Sequence, residues 1–336
     1  MNIRISNKNR ISFKIIFKFL IGIILSALAI WAITRTIDFE VLIKQIEHFN
    51  PKIIPFLFLF YPISMVLRSI RWKILVLSKV RVSFFTILYA NMIGFFLNYI
   101  LPARIGEFTR AEIIKRKENI SRSFMLGTII AERLLDSIIL LFFLLFSALF
   151  SIKVQETIRS NSVSILVFIF TIIFFIILLT NKRIHLIILK TVPRFRLKIS
   201  KIIDNFYIAL TFYENLRRLV KVGLLTLLLW LFAAFGYSLI AKGLALELPY
   251  HGYFFLIAMA AFGMIIPSSP GNIGVYHGVV LMSILIFLPG EKEKALSFAI
   301  IAHGIDLLMC VSFGLLAYVY TQIKVKNKLH ISLFKK

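Results

Sequence analysis

Long apolar segments alternate with short polar segments along the whole chain. Six of the apolar segments are continuous and cover residues 15–33, 53–67, 124–150, 162–180, 222–241 and 295–320. A helix needs roughly 20 residues to cross a hydrocarbon core of about 30 Å. The pattern therefore predicts an all-α integral membrane protein with six full spans.

Two further apolar segments, 84–118 and 254–289, are broken near their middles by Gly, Pro and Asn. These residue types interrupt helical hydrogen bonding, so each segment is predicted to be a broken or re-entrant helical hairpin. Backbone groups freed at such breaks need protein, water or a ligand as partners, which favours a cavity lining. The predicted break residues are Pro102, Gly106, Pro267, Pro270, Gly271 and Gly274.

The composition places the chain in a membrane and not in solution. Hydrophobic residues make up 60% of the 336 positions, and the mean hydropathy is +0.91. A net charge of +25 is also found in nucleic-acid-binding proteins, but the basic residues here occupy short loops between apolar segments, a pattern that orients membrane proteins. We expect no nucleic-acid partner.

The distribution of basic residues predicts the orientation. If both hairpins return to the side that they enter from, the loops on one side carry 30 Lys and Arg and those on the other carry 8. The positive-inside rule then makes the basic side cytoplasmic, with both termini, in the cell inner (plasma) membrane. The predicted cytoplasmic loops are 1–14, 68–83, 102–123, 181–221 and 321–336.

The second half of the chain echoes the first. PARIGEF at 102–108 corresponds to PGNIGVY at 270–276, an offset of 168, and IIAERLLD at 129–136 corresponds to IIAHGID at 300–306. Three crossings separate the two copies, so the second is inverted, as in many transporters. We predict one transmembrane domain, 1–336, with pseudo-repeats of about 1–155 and 156–336. The alternative is that Pro-x-x-Ile-Gly is a turn signal recurring by chance.

Charged residues within apolar sequence mark the candidate site, because each costs about 2.5–3.5 kcal/mol on insertion scales. They lie near the first break and on the following helix: Arg104, Glu107, Arg110, Glu132, Arg133 and Asp136. In one reading, Arg104 and Arg133 bind an anionic phosphate or carboxylate headgroup, and the acidic residues tune that site or carry protons. In the other, Arg104 and Arg110 are cytoplasmic-interface charges. Glu132, Arg133 and Asp136 then form a buried ion network that fixes helix packing.

The equivalent positions in the second half are mostly neutral. Asn272 stands where Arg104 does, His303 stands where Glu132 does, and Asp306 lies close to the equivalent of Asp136. His277 and His303 have a side chain that can titrate near neutral pH, although a lone helical histidine is more often a packed or hydrogen-bonded core residue. The predicted transport site is therefore asymmetric.

Other features add little chemistry. Residues 181–221 are basic with apolar residues at helical spacing, which is typical of an interfacial amphipathic helix or of a plain cytoplasmic connector. The single cysteine, Cys310, excludes a disulfide or a Cys-based zinc site within one chain. No Gly-rich nucleotide loop, His-Glu-x-x-His or Gly-x-Ser-x-Gly motif occurs. We predict no cofactor, no metal and no enzymatic activity.

Three segments resemble the transmembrane region of lysylphosphatidylglycerol synthases, a family also called flippase-like or UPF0104. They are PARIGEFTRAEIIKR at 102–116, AERLLD at 131–136 and PSSPGNIGVYHG at 267–278. In bifunctional members this membrane region is assigned lipid translocation, and a separate cytosolic domain transfers an amino acid from charged tRNA to phosphatidylglycerol. About 16 residues follow the last predicted span here, so the resemblance implies the translocase-like part alone.

The implied function is translocation of an anionic phospholipid or lipid-linked headgroup, with membrane lipids as the binding partners. One alternative is an intramembrane transferase with Glu107, Glu132, Asp136 or His303 as its base. Another is a scaffold for a membrane or cytosolic partner enzyme. The sequence predicts no oligomeric state.

Overall fold

The computed structural model describes residues 13–77, 80–101, 104–161, 196–266 and 268–333, and these ranges contain helices and no strand. The predicted span 162–180, the start of the predicted interfacial segment, and the break residues Pro102 and Pro267 lie outside the described residues. The helices are α1 Phe13–Thr34, α2 Phe39–Glu47, α3 Ile54–Val76, α4 Phe84–Ile100, α5 Ile105–Glu118, α6 Arg122–Leu149, α7 Ile152–Ser160, α8 Arg196–Leu210, α9 Leu216–Gly243, α10 Tyr250–Gly263, α11 Val275–Leu285 and α12 Lys292–Leu333.

Four helical stretches of the described chain are long and apolar enough to cross a membrane: Pro51–Val76, Leu216–Gly243, Pro270–Phe287 and Lys292–Ile323. Helices α1 and α2 are apolar together, but the chain bends by 92° between them. They make a fifth candidate span if the bent pair is counted as one. Helix α6 has the length, but three charged residues interrupt its apolar sequence. The chain is thus an all-helical, multi-pass membrane protein, and the finer prediction of six full spans is not confirmed.

Helix α3 is longer than the sequence pattern predicts. The predicted span ends at 67 and a cytoplasmic loop follows it, but the helix continues to Val76. The extension is stable because Trp72, Leu75 and Val76 are wholly buried against α4, α5 and α6. Treating residues 68–76 as part of a loop was therefore wrong, and Arg71, which the charge count placed in that loop, is a buried helical residue.

The first predicted break is present. Helix α4 ends at Ile100, and α5 begins after Arg104, whose backbone is left-handed with a φ of 51°. The two arms of the hairpin touch where Gly94 meets Gly106, since a Cβ on Gly106 would lie 1.8 Å from the carbonyl oxygen of Gly94. Only glycine permits this approach of two helix backbones.

The second predicted break separates α10 from α11. Its short 3-10 turn contains Gly271 and Asn272 with φ values of 74° and 55°, and Gly274, with a φ of 87°, precedes α11. Arg104 and Asn272, which are 168 positions apart, are thus both non-glycine residues in the left-handed region. This agreement supports the sequence repeat at the level of backbone conformation, while the inverted arrangement of the two halves stays a prediction.

The two breaks lie close together inside the helical assembly. The 3-10 turn of the second break packs against α4, the first arm of the first hairpin. Helix α1 packs beside the second break and is hydrogen-bonded to it, since the backbone N–H of Ser269 donates to Ser26 Oγ over 2.9 Å. The described outer surface is rich in large apolar side chains such as Phe142 and Leu149, as expected of a surface that faces lipid.

Candidate functional site

The centre of the first half is an ion network of three guanidinium groups and three carboxylates. Helix α3 supplies one residue, α5 two and α6 three, and the members are Arg71, Glu107, Arg110, Glu132, Arg133 and Asp136. Five of the six were predicted as site residues, and the structure brings those five together. The formal charges of the network cancel.

Asp136 is the most heavily bonded carboxylate of the ion network. Arg71 Nη1 donates to its Oδ1 over 2.5 Å, and the indole N–H of Trp230 on α9 donates to the same oxygen over 3.1 Å. Arg133 Nη1 lies 3.3 Å from Oδ2. Asp136 therefore links α3, α6 and α9, and it is 4% exposed.

Glu132 bridges two arginines. Arg110 Nη2 donates to its Oε2 over 2.7 Å, and Arg71 Nη2 lies 3.4 Å from its Oε1. The Arg110 guanidinium also lies over the ring of Trp72, 4.1 Å from the centroid. All three charged side chains are 2% exposed or less. Breaking such a pair would leave a buried charge without a partner, so this part of the network holds helices together.

The edge of the ion network is more open. Arg133 Nε donates to Glu107 Oε1 over 3.0 Å, and the two side chains are 32% and 19% exposed. An anion that enters here would have to displace Glu107 from Arg133. The edge therefore joins the buried pairs to the accessible surface beside the first break.

Sequence reasoning missed Arg71 and its neighbour Arg68, one helical turn earlier on α3. The half-buried Arg68 donates to Ser64 Oγ over 3.4 Å and faces the rings of Phe95 and Trp230, with centroids at 5.2 and 5.9 Å. It forms no ion pair with any described residue. A signal was available, because the apolar residues 74–77 continue the helical run beyond the arginines.

Arg104 lies outside the ion network, at the junction of the two breaks. Its Nη2 donates to the carbonyl oxygen of Met264 over 2.9 Å, so it joins the first break to the residue that ends α10. Among the described residues no carboxylate pairs with it, and the residue is exposed. Arg104 is thus a guanidinium with donors left for another partner.

The predicted residues of the second half form a separate group, which we call the Tyr–His–Asp cluster. Its members come from α4, α9, α11 and α12 and are Tyr99, Tyr237, Tyr276, His277, His303 and Asp306. The three tyrosines were not predicted, since nothing in their local sequence distinguishes them from core aromatics. Asn272 stays within its own break, where its Oδ1 accepts from the Ser268 hydroxyl over 2.7 Å.

Contacts within the Tyr–His–Asp cluster are close. The Tyr99 hydroxyl donates to Asp306 Oδ2, and the Tyr237 and Tyr276 hydroxyls are 2.8 Å apart. The His303 ring lies 4.9 Å from that of Tyr276 and 5.0 Å from that of His277, whose Nδ1 accepts from the Gly274 N–H. In the described ranges no three His, Cys, Asp or Glu residues are grouped so as to hold a metal ion.

These features define a multi-pass helical membrane protein whose broken helices meet beside a buried ion network. Residues 19–314 match the family model described as the lysylphosphatidylglycerol synthase TM region. The chain belongs to that family, as its motifs predicted.

Curated relatives carry the name UPF0104 membrane protein. MJ1595 of Methanocaldococcus jannaschii is 28% identical over 216 residues, which are 60% of this chain and 64% of that protein. MJ1078 of the same organism is 26% identical over 66% of this chain and 93% of its own length. PH1989 of Pyrococcus horikoshii is 32% identical over 48% of this chain and 47% of its own length. The match thus spans less than two thirds of the first and third relatives. No solved structure matches the chain.

Proposed function

We propose that this protein moves lipids with an anionic headgroup across the inner membrane, and that it does so without chemical change to the lipid. The observation that carries the proposal is Arg104, an accessible guanidinium at the junction of two broken helices. Among the described residues its hydrogen-bond partner is a neutral carbonyl. Guanidinium binds phosphate with two parallel hydrogen bonds. Broken helices beside an ion site are typical of transporters.

The ion network supports this proposal by its contrast with Arg104. Arg71 and Arg110 are buried and paired with carboxylates, so neither is available to a headgroup. Arg133 is partly exposed but is held by Glu107 and Asp136. In the proposal a phosphate first meets Arg104 and then competes with Glu107 for Arg133. In this proposal the buried ion pairs of the network stay in place, and the Arg133–Glu107 contact is the one that the phosphate displaces.

The alternative function, an intramembrane transferase, needs a side chain that acts as a base, and three of the four candidates from the sequence are ion-paired. Glu107, Glu132 and Asp136 are each paired with at least one arginine, and an ion-paired carboxylate is a weak base. His303 is the remaining candidate from the sequence. A transferase would convert lipid chemically, which mass spectrometry of the extracted lipid detects.

The test of the proposed site is Arg104→Lys, which keeps the charge and loses the two-pronged donor. Loss of a charge-assisted contact typically costs about 1.5–3 kcal/mol, so affinity for phosphatidylglycerol should fall roughly 10- to 150-fold. Translocation of a fluorescent phosphatidylglycerol in proteoliposomes should slow with it. The matched control is Arg159→Lys, an exposed residue of α7. If Arg104→Lys binds and moves phosphatidylglycerol like the wild type, Arg104 is only an orienting charge.

A further inference from the structure

Asp306 differs from every carboxylate of the ion network. It lies on α12, within a candidate membrane span, and no described Lys or Arg forms an ion pair with it. Its hydrogen-bond donor is the neutral hydroxyl of Tyr99. Glu107, Glu132 and Asp136 instead each form an ion pair with an arginine. A membrane-embedded carboxylate without a cation is the one that gains most from binding a proton.

Asp306 also has a route to the interior. The residue is exposed, and His303, three residues earlier on the same helical face, is 6% exposed. Beyond His303 lie the rings of His277 and Tyr276, and the Tyr276 hydroxyl is hydrogen-bonded to that of Tyr237. Asp306 and the cluster thus connect the surface of the protein with its core through groups that can bind or relay a proton.

Charged and titratable groups from every neighbouring helix act on Asp306 or on its partners. Helix α3 contributes Arg68, which acts on Asp306 electrostatically without an ion pair, and Tyr61. Helix α4 contributes Tyr99, and α12 itself contributes His303 and Cys310. The remaining groups, on α9 and α11, are the other members of the Tyr–His–Asp cluster: Tyr237, Tyr276 and His277.

The cluster is tied to both breaks. Tyr99 is the penultimate residue of α4, next to the first break, and it donates to Asp306. The His303 ring lies beside that of His277, whose Nδ1 accepts from the backbone N–H of Gly274 at the end of the second break. A proton that arrives at Asp306 or His303 therefore changes a contact of each broken helix.

We propose that Asp306 and His303 form a proton-binding site that couples headgroup movement to proton movement. The inference rests on the proposed lipid translocation for its coupling, but the proton site itself does not. Asp306 takes one proton from the aqueous phase as its carboxylate becomes a carboxylic acid, and it returns that proton when the breaks rearrange. The ion network, with its fixed charges, takes no part in this exchange.

The first measurement needs no lipid substrate. Proton uptake by the purified full chain in detergent is titrated between pH 8 and pH 5 for the wild type and Asp306→Asn. The variant should take up fewer protons than the wild type, by one at most. Tyr99→Phe keeps the carboxylate but removes its donor, and it should move the midpoint of uptake without changing the number of protons. Asp204→Asn, at an exposed residue of α8, is the matched control for the loss of a carboxylate outside the cluster.

The second measurement follows fluorescent phosphatidylglycerol in vesicles of phosphatidylcholine and phosphatidylglycerol, with and without a pH gradient. The wild type should respond to the gradient several-fold, and Asp306→Asn and His303→Gln should not. Identical uptake curves for the wild type and Asp306→Asn would overturn the proton site. A wild type that moves lipid at a rate independent of the gradient would overturn the coupling. Altered proton uptake in a protein that moves no lipid would instead refute the proposed function and leave the proton site standing.

Discussion

Removing Arg71 should destabilise the protein more than removing any surface charge. Its guanidinium contacts both oxygens of Asp136, one oxygen of Glu132 and the hydroxyl of Thr226. Arg71→Leu leaves three carboxylates facing two guanidinium groups in a buried site. Loss of one partner of a buried ion pair costs about 3–5 kcal/mol, because the remaining charge has lost its compensation.

A second substitution separates the charge effect from the packing effect. In Arg71→Leu combined with Asp136→Leu, two guanidinium groups face two carboxylates, so the charge balance returns. The double variant should recover about 1–3 kcal/mol relative to the sum of the two single effects. Arg71→Lys keeps the charge but cannot span both carboxylates, and it should lie between the wild type and Arg71→Leu.

Unfolding of the detergent-solubilised protein by sodium dodecyl sulfate measures these differences. Tryptophan fluorescence is a suitable signal, since Trp72 and Trp230 both contact the ion network. The control Arg159→Leu removes an exposed charge and should change stability by less than about 0.5 kcal/mol. The reasoning fails if Arg71→Leu unfolds together with the wild type, or if the double variant shows no recovery.

Two further predictions concern the hairpins. Gly106→Ala should destabilise the first hairpin by about 1–3 kcal/mol, because its Cβ would overlap the Gly94 carbonyl. In the control Gly223→Ala, the new Cβ meets no atom within 4 Å, so this variant should be neutral or slightly stabilising. Equal unfolding of the two variants would contradict the close approach of the two helix backbones. Single cysteines at Lys117 and Lys292 should react with an impermeant maleimide from opposite sides of the membrane. Labelling of both from one side would rule out the inverted arrangement.

Most residues of the ion network can be recognised in the sequence, for a physical reason. Glu132, Arg133 and Asp136 interrupt an otherwise apolar helix, so their cost of insertion makes them conspicuous. Arg71 is not conspicuous in this way, because the apolar segment before it is already long enough for the predicted span to end there. The positive-inside rule then assigns it to a loop, although the apolar residues 74–77 continue the helical pattern, and the burial of Trp72 and Leu75 shows that the helix continues.

The second half of the site is harder to predict. His303 and Asp306 are visible in the sequence, but Tyr99 is distant from them along the chain and is brought to Asp306 by the packing of α4 on α12. The backbone breaks are predictable from Gly and Pro, whereas the left-handed Arg104 is not, since this conformation disfavours a side chain. The exposure of its guanidinium, which pairs with no carboxylate in the described part of the chain, follows from the way the two breaks meet.

Translocation by the purified chain alone is the most direct test of the central claim. The wild-type protein is reconstituted into phosphatidylcholine vesicles that carry a trace of fluorescent phosphatidylglycerol or fluorescent phosphatidylcholine, and an impermeant quencher reports the accessible leaflet. The account predicts protein-dependent exchange that is faster for the anionic lipid, with the lipid recovered unmodified by mass spectrometry. Exchange no faster than in protein-free vesicles, or recovery of a chemically altered lipid, would contradict it.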